Sequence, residues 1–332
     1  MKYKNLIIYL SILLLTTLIG CESFSNSSST QTSNKQDTIF YYPYIGTKCS
    51  KEQSTSKAFL TIVENSQGAR PQSGLSDADI IFETSAEGGI PRFICLFQSK
   101  NPNCIGPIRS TRAYFNDIAH LTGLPYAHCG GSEEALNQIA SDSSLMSINE
   151  INNGSYFWRD NSRNAPHNLY TSSENIVTAI NDKGWNYENT PIFTFGDINN
   201  KNIYENAKNI SITPSSVYST NYIYENNEYV KYMDNEIAID KNTNSNLTFN
   251  NIIIQKTNIS IQDDNSHLTI PLIGSGDGYI LREGKIINMH WTRQSENDFI
   301  TFYDDNNNKI SLSKGNTIWH IVDNNTKIET RE

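Results

Sequence analysis

Ala58-Phe59-Leu60-Thr61-Ile62-Val63 is an unbroken, mostly apolar run of six residues, closed by the polar Glu64-Asn65-Ser66. It is too short for a globular helix and rich in β-branched and aromatic side chains, so it reads as a buried strand. Ile80-Ile81-Phe82 and Arg92-Phe93-Ile94-Cys95-Leu96-Phe97 read the same way, and Tyr126-Ala127-His128 is a shorter example. Helical segments are interspersed. Ser110 reads as the cap of a helix reaching about Leu121. Ser132 starts another through Ile139, with Glu133 and Glu134 at the positive end of its dipole. Ser172 or Ser173 starts a third, which Gly184 closes. Strands alternating with helices predict an α/β (or α+β) domain with a mixed sheet.

From about Ile210 the pattern changes. Residues 217–224 and 229–232 alternate around the turn Glu225-Asn226-Asn227-Glu228, a hairpin signature. Short strands then recur at 252–255, 268–270, 279–282, 285–288, 300–303, 309–312 and 317–321, which predicts a mostly antiparallel all-β domain. The Asn-rich stretch around 199–209 reads as a linker, giving an α/β domain over 56–197 and a β-rich domain over 210–330.

The N-terminus reads as an address. Lys2 and Lys4 precede an apolar run over 6–18, and Leu18-Ile19-Gly20-Cys21 follows at once. This resembles the lipobox of bacterial lipoproteins, in which residues 1–20 are a signal peptide and the Cys21 thiol carries diacylglycerol and, with further acylation, palmitate-type chains. The run is short for a membrane span. The Ser/Thr/Asn/Gln-rich residues after Cys21 cannot bury enough apolar surface to order themselves, so 21–55 reads as a tether. The expected location is the extracytoplasmic face of the cell membrane, anchored in the bilayer through acylated Cys21.

The formal net charge is −9, and loss of Lys2 and Lys4 with the signal makes it more negative, which excludes a general nucleic-acid binder. Cys49, Cys95, Cys104 and Cys129 contain no CxxC pair, so no metal site is expected from them. An exported protein can form disulfides, and Cys95–Cys104 would close a short loop, but the pairing is open.

Six of the nine arginines lie from Arg70 to Arg163, a stretch whose one lysine is Lys100. A guanidinium grips carboxylate or phosphate through two parallel hydrogen bonds, and an ammonium does not. These arginines therefore either brace buried carboxylates or hold an anionic ligand. Four polar clusters contain them: 68–79 with Arg70 and Asp79; 82–92 with Glu83, Glu87 and Arg92; 105–112 with Arg109 and Arg112; and 157–170 with Arg159, Arg163, His167 and Asn168. Arg109 and Arg112 flank an expected helix start, where backbone N–H groups and guanidinium groups would face one anion. Their alternative role is bridging to Glu83, Glu87 or Asp117. Gly130-Gly131 before Ser132 reads as an anion-cradling loop or a plain tight turn. Cys129 beside His128 is a weak candidate nucleophile, because strand neighbours point to opposite faces.

Ala69-Arg70-Pro71-Gln72-Ser73-Gly74-Leu75, Glu87-Gly88-Gly89-Ile90-Pro91-Arg92-Phe93, Ile105-Gly106-Pro107-Ile108-Arg109-Ser110, His128-Cys129-Gly130-Gly131-Ser132, Phe157-Trp158-Arg159-Asp160 and Ala165-Pro166-His167-Asn168-Leu169-Tyr170-Thr171 occur in that order. With Gly274-Ser275-Gly276 and Trp291 they resemble the YerB-like lipoproteins over nearly everything after the tether. The resemblance implies an N-terminal domain of unknown function, a β-rich C-terminal partner domain and a lipoprotein location. It implies no reaction.

A second likeness, by analogy of element order over 93–112 and 127–139, is to the LytR–CpsA–Psr enzymes, which move polymers from polyprenyl pyrophosphate carriers. Here Arg109-Ser110-Thr111-Arg112 lacks the aspartate that follows that family's first arginine. Any Mg²⁺ would have to be held by Asp79, Glu83 or Glu87.

The leading expectation is a non-enzymatic envelope lipoprotein without a cofactor. It binds an anionic ligand, a cell-wall component or a membrane-protein partner through an arginine-lined site of Arg70, Asp79, Glu83, Glu87, Arg92, Arg109, Arg112, Arg159, His167 and Asn168. The alternatives are a metal-assisted phosphoryl-transfer enzyme and an adaptor whose arginines are all paired internally.

Overall fold

A computed structural model describes residues 38–198, 203–262, 267–296 and 298–332. The expected signal, Cys21 and the first part of the tether lie outside the described residues. The expected tether extends to 55, but the chain is folded well before that. Phe40–Tyr41 pairs antiparallel with Lys48–Cys49, and helix α1 (Lys51–Ser54) starts at a capping box between Ser50 and Gln53. Tyr44, fully buried in the core, fastens this segment down. No described helix is long and apolar enough to cross a membrane.

The apolar runs form the expected strands β1 (Phe59–Val63), β2 (Ile80–Thr84), β3 (Arg92–Phe97) and β4 (Tyr126–His128), and a further strand, β5 (Ser147–Asn149), is added to them. The second half supplies β6 (Asn209–Ser215), β7 (Tyr218–Glu225), β8 (Glu228–Met233), β9 (Asn251–Thr257), β10 (Gly274–Arg282), β11 (Lys285–Arg293), β12 (Thr317–Asp323) and β13 (Lys327–Arg331). The two halves share one 11-stranded mixed sheet. Its order runs from Glu205–Asn206 through β11, β10, β9, β12, β2, β3 and β1 to β4 and β5, and Thr301–Tyr303 pairs with β11. The junction is β12, which lies parallel to β2 on one side, with Trp319 opposite Phe82, and parallel to β9 on the other. Residues 39–332 accordingly form one compact unit, in which the two textures of the sequence are interleaved through a shared sheet.

A second, antiparallel sheet of six strands has β8, β7, β6 and β13 as its backbone. Its inward positions pack with Ile81, Phe93, Cys95 and Ile318, together with α4 (Ser173–Asp182). The opposite face of the large sheet, with Ile80, Phe82, Ile94 and Trp319, packs on α2 (Ala113–Thr122). α3 (Glu133–Ser141) and α4 start at the expected Ser132 and Ser172 caps. α2 does not start at Ser110: its N-cap is Arg112. The chain stays extended to Thr111 because Arg109 N–H donates to Ile62 O and Thr111 N–H donates to Gly130 O, so these residues pair with neighbouring chain instead of beginning a turn.

The two-residue strand period explains the most buried charges. Ile81 and Glu83 share one face of β2, so Glu83 points between the sheets. Tyr229, Lys231 and Met233 point inward from β8. Lys231 Nζ donates to Glu83 Oε2 at 2.7 Å, Thr220 Oγ1 at 2.7 Å and Tyr222 Oη at 2.8 Å, using all three protons. Tyr222 Oη lies 2.7 Å from His320 Nε2. Burial raises the Glu83 carboxyl, but the charge of Lys231 and its hydrogen bond, with Tyr218 beside them, more than offset this and hold it below the usual carboxylate range. Burial lowers Lys231 against the pull of Glu83. His320 is pushed down to about 4 by burial and stays neutral.

Candidate functional site

The end of β1 sets the position of the site. Glu64, the first residue after the strand, accepts from Arg109 Nη2 at 2.7 Å and Ser66 Oγ at 2.6 Å, and His167 Nδ1 lies 2.9 Å from its second oxygen. Burial raises its carboxyl, but the hydrogen bonds from Arg109, Ser66 and His167 outweigh that and keep it ionised, below the ordinary range. Next to it, Cys129 N–H donates to Arg109 O, and the Cys129 thiol donates to Glu150 Oε2 at 3.2 Å. Glu150 also faces Arg159 Nη2 at 3.7 Å, and Arg159 Nη1 donates to the buried Asn168 at 3.0 Å. Burial and Glu150 push the Cys129 thiol up to about 11, so it is a neutral thiol and not a nucleophile at neutral pH.

Arg109, Arg159, His167 and Asn168 are thus gathered into one polar face, joined by Glu64, Glu150 and Cys129. A second cluster adjoins it. Glu87 takes Arg112 bidentately through Nε and Nη2, and Arg92 Nη2 lies 3.5 Å away. Arg92 Nη1 donates to Ser110 O at 3.1 Å.

The remaining expected site residues go elsewhere. Arg70 binds Asp234 at 2.6 Å and Asn65 O at 3.0 Å, fastening the 65–71 loop to the antiparallel sheet. Arg163 donates to Ala69 O and Pro71 O, bracing the same loop. Asp79 is buried before β2 and is bonded by Ser99, and burial raises its carboxyl to about 6 despite those bonds. Glu83 is sealed between the sheets against Lys231. Both are therefore removed from the surface face, since packing covers both faces of β2 and leaves Asp79 2% and Glu83 1% exposed. Asp117, expected as a partner of Arg109 or Arg112, interacts instead with Arg293 and His120.

Gly130-Gly131 forms a tight turn. Gly130 N–H is taken by Asn149 Oδ1, and a Cβ on Gly131 would lie 2.8 Å from Thr111. The four described cysteines are free thiols. Five surface hollows, of about 250 to 830 Å³, are lined by none of the arginines from Arg70 to Arg163. Next to Arg159 and Glu150 in sequence, Trp158 is 37% and Ile151 67% exposed, and the Trp158 ring stacks on Tyr170 with centroids 6.3 Å apart.

Glu64, Glu150 and Lys231 escaped the sequence reading. Glu64 carried a usable signal, since a carboxylate at the mouth of a buried strand needs a cation. Lys231 had one too, since it sits at an inward position of an alternating strand.

Two family models, described as the N-terminal and C-terminal domains of DUF3048, a protein family of unknown function, match residues 45–186 and 209–319. The chain belongs to the DUF3048 family. It is 32% identical over 254 residues to "Putative lipoprotein YerB" of Bacillus subtilis (strain 168), covering 75% of this chain and 77% of that one. The crystal structure of YerB protein from Bacillus subtilis superposes with a TM-score of 0.79 at 29% identity, over 88% of this chain and all of that one. The DUF3048 fold is therefore the mixed sheet with helices of the first half and the antiparallel sheet of the second. The expected YerB-like resemblance and fold class hold.

Proposed function

We propose that this chain is a lipid-anchored, extracytoplasmic envelope protein that binds a partner through the face of Arg109, Arg159, His167 and Asn168. The partner presents an anionic group beside an apolar one. One observation carries the reading. Arg159 is half-exposed, its carboxylate neighbour Glu150 stands 3.7 Å away, and the residues next to these two in sequence, Trp158 and Ile151, are exposed apolar side chains. Trp and Arg dominate the energetics of protein interfaces, because each covers large apolar area while keeping a polar handle. The lipoprotein name of the Bacillus subtilis relative supports the anchor, as does the Leu18-Ile19-Gly20-Cys21 sequence.

A second reading, the braced adaptor, draws on Arg70–Asp234, Arg109–Glu64 and Arg112–Glu87, all paired within the chain. The phosphoryl-transfer alternative with Mg²⁺ has no comparable support, since Asp79, Glu83 and Glu87 each serve a different partner.

Arg159→Ala separates the readings. Partner capture in membranes should fall while the melting temperature stays within a degree or two, because a half-exposed ion pair contributes about 0–1 kcal/mol. Lost stability with unchanged capture supports the adaptor. Saturable heat on titrating pyrophosphate, with or without Mg²⁺, supports a phosphate ligand and contradicts the extended partner.

A further inference from the structure

Three side chains meet far from the arginine face, where the two halves of the chain adjoin. His120 lies in the last turn of α2, Asp142 is the residue that ends α3, and Glu296 follows β11. His120 Nε2 is 3.0 Å from Asp142 Oδ2 and 3.2 Å from Glu296 Oε1, and the three atoms all lie within 4.8 Å of one another. Metal–ligand bonds of about 2.0–2.2 Å at tetrahedral angles place ligand atoms roughly 3.3–3.6 Å apart, so one ion fits with small adjustments.

The surroundings orient these atoms. Asp142 Oδ1 is occupied by Ser144 N–H at 2.8 Å and Ser144 Oγ at 2.7 Å, which leaves Oδ2 for His120 and an ion. Ser144 Oγ lies 3.5 Å from His120 Nδ1, where a slight closure would fix the tautomer that presents a lone pair at Nε2. Asp117 sits one turn before His120 on the same helix face and makes no hydrogen bond to a described residue. Arg293 is the nearest permanent cation acting on it, and His120, Glu296 and Glu134 lie within its electrostatic reach. The carboxylates Asp117, Asp142, Glu296 and Glu134 outnumber the cations, so this corner has negative charge to spare.

We infer that His120, Asp142 and Glu296 form a binding site for a divalent transition-metal ion of the zinc class, which clips α2 and α3 to the loop after β11. An imidazole with two carboxylates suits zinc better than the all-oxygen shells that magnesium and calcium prefer. Three protein ligands leave a fourth position for water.

The test uses the full-length chain in detergent, stripped with chelator and titrated with Zn²⁺ by calorimetry and by thermal melting. The expected result is one equivalent bound with a raised melting temperature and no comparable effect of Mg²⁺. His120→Ala and Glu296→Gln should each weaken binding at least about tenfold and abolish the rise. Glu296 is on an exposed loop, so its variant keeps the test informative if His120→Ala fails to fold. A lack of stoichiometric binding, or binding that survives both substitutions, overturns the site and leaves His120 as an imidazole hydrogen-bonded between two carboxylates.

Discussion

Lys231→Met should be the most damaging single substitution among the charged residues. The ammonium and the Glu83 carboxylate are each 1% exposed, and the ammonium makes three hydrogen bonds of 2.7–2.8 Å. Methionine fills the same volume but leaves Glu83 with the Tyr218 hydroxyl and with His320 Nδ1 at 3.7 Å, neither of which carries a compensating charge. Breaking a buried pair from one side costs about 3–5 kcal/mol, against a total stability of about 5–15 kcal/mol, or a fall of about 10 °C in melting temperature.

The pH dependence gives the mechanism. In the parent chain Glu83 is held low, so its contribution is present above the unfolded carboxyl value and is lost as pH falls through the folded one. In Lys231→Met the carboxyl is buried without its cation and its pKa moves up, so the deficit should shrink as the pH is lowered toward 5. Equilibrium unfolding in urea at pH 7.5 and 5.0 measures this. The double variant Glu83→Leu/Lys231→Met should recover most of the loss. A single-variant loss under about 1 kcal/mol, or a double variant no better than the single, refutes the reasoning. So would two separate unfolding transitions in the parent chain, because the shared sheet ties the halves together.

Three further outcomes follow from local chemistry. His128 is held neutral at about 4 by burial, with ring nitrogens 2.7 Å from Gly130 O and Ser147 Oγ. The unfolded state binds the extra proton first, so the His128 contribution should be flat above the usual histidine value near 6.5 and fall by about 3 kcal/mol from there to pH 4, alongside a similar loss from His320; His128→Asn should remove its own share of the acid loss in urea unfolding. Arg109→Ala should cost about 1–3 kcal/mol by leaving the mostly buried Glu64 with Ser66 and His167 alone, measured by melting, and Glu64→Gln should cost less because no ion is stranded. Cys129 should react with iodoacetamide at pH 8 on the order of a hundredfold more slowly than the same thiol in the unfolded chain, read by mass spectrometry of the labelled peptide.

The strands at 58–63, 80–82 and 92–97 were legible because a short apolar run between polar turns has few other readings. The Ser132 and Ser172 caps were legible for a similarly local reason. What was not legible is long-range. The pairing of β12 with β2 joins residues more than two hundred positions apart, and no period or cap announces it. Without that pairing the change of texture near residue 200 reads as a boundary between independent domains. Ser110 misled because a good cap residue is not used where its flanking backbone has better partners, here Ile62 O for Arg109 N–H and Gly130 O for Thr111 N–H. The arginines stand out by their clustering, but their partners Glu64, Glu150 and Asp234 lie outside the motifs that carry the arginines. Composition could show that arginine was needed and could not show what satisfied it.

The central claim is that the Arg109–Arg159–His167 face receives an envelope partner. A photo-crosslinking residue at Trp158 of the full-length chain, irradiated in intact membranes, tests it most directly, with a second probe at the exposed Asn325 as control. The account predicts a discrete crosslinked product from position 158, absent from position 325 and lost when Arg159→Ala is added. No product at 158, or an identical product at both positions that survives Arg159→Ala, would contradict it.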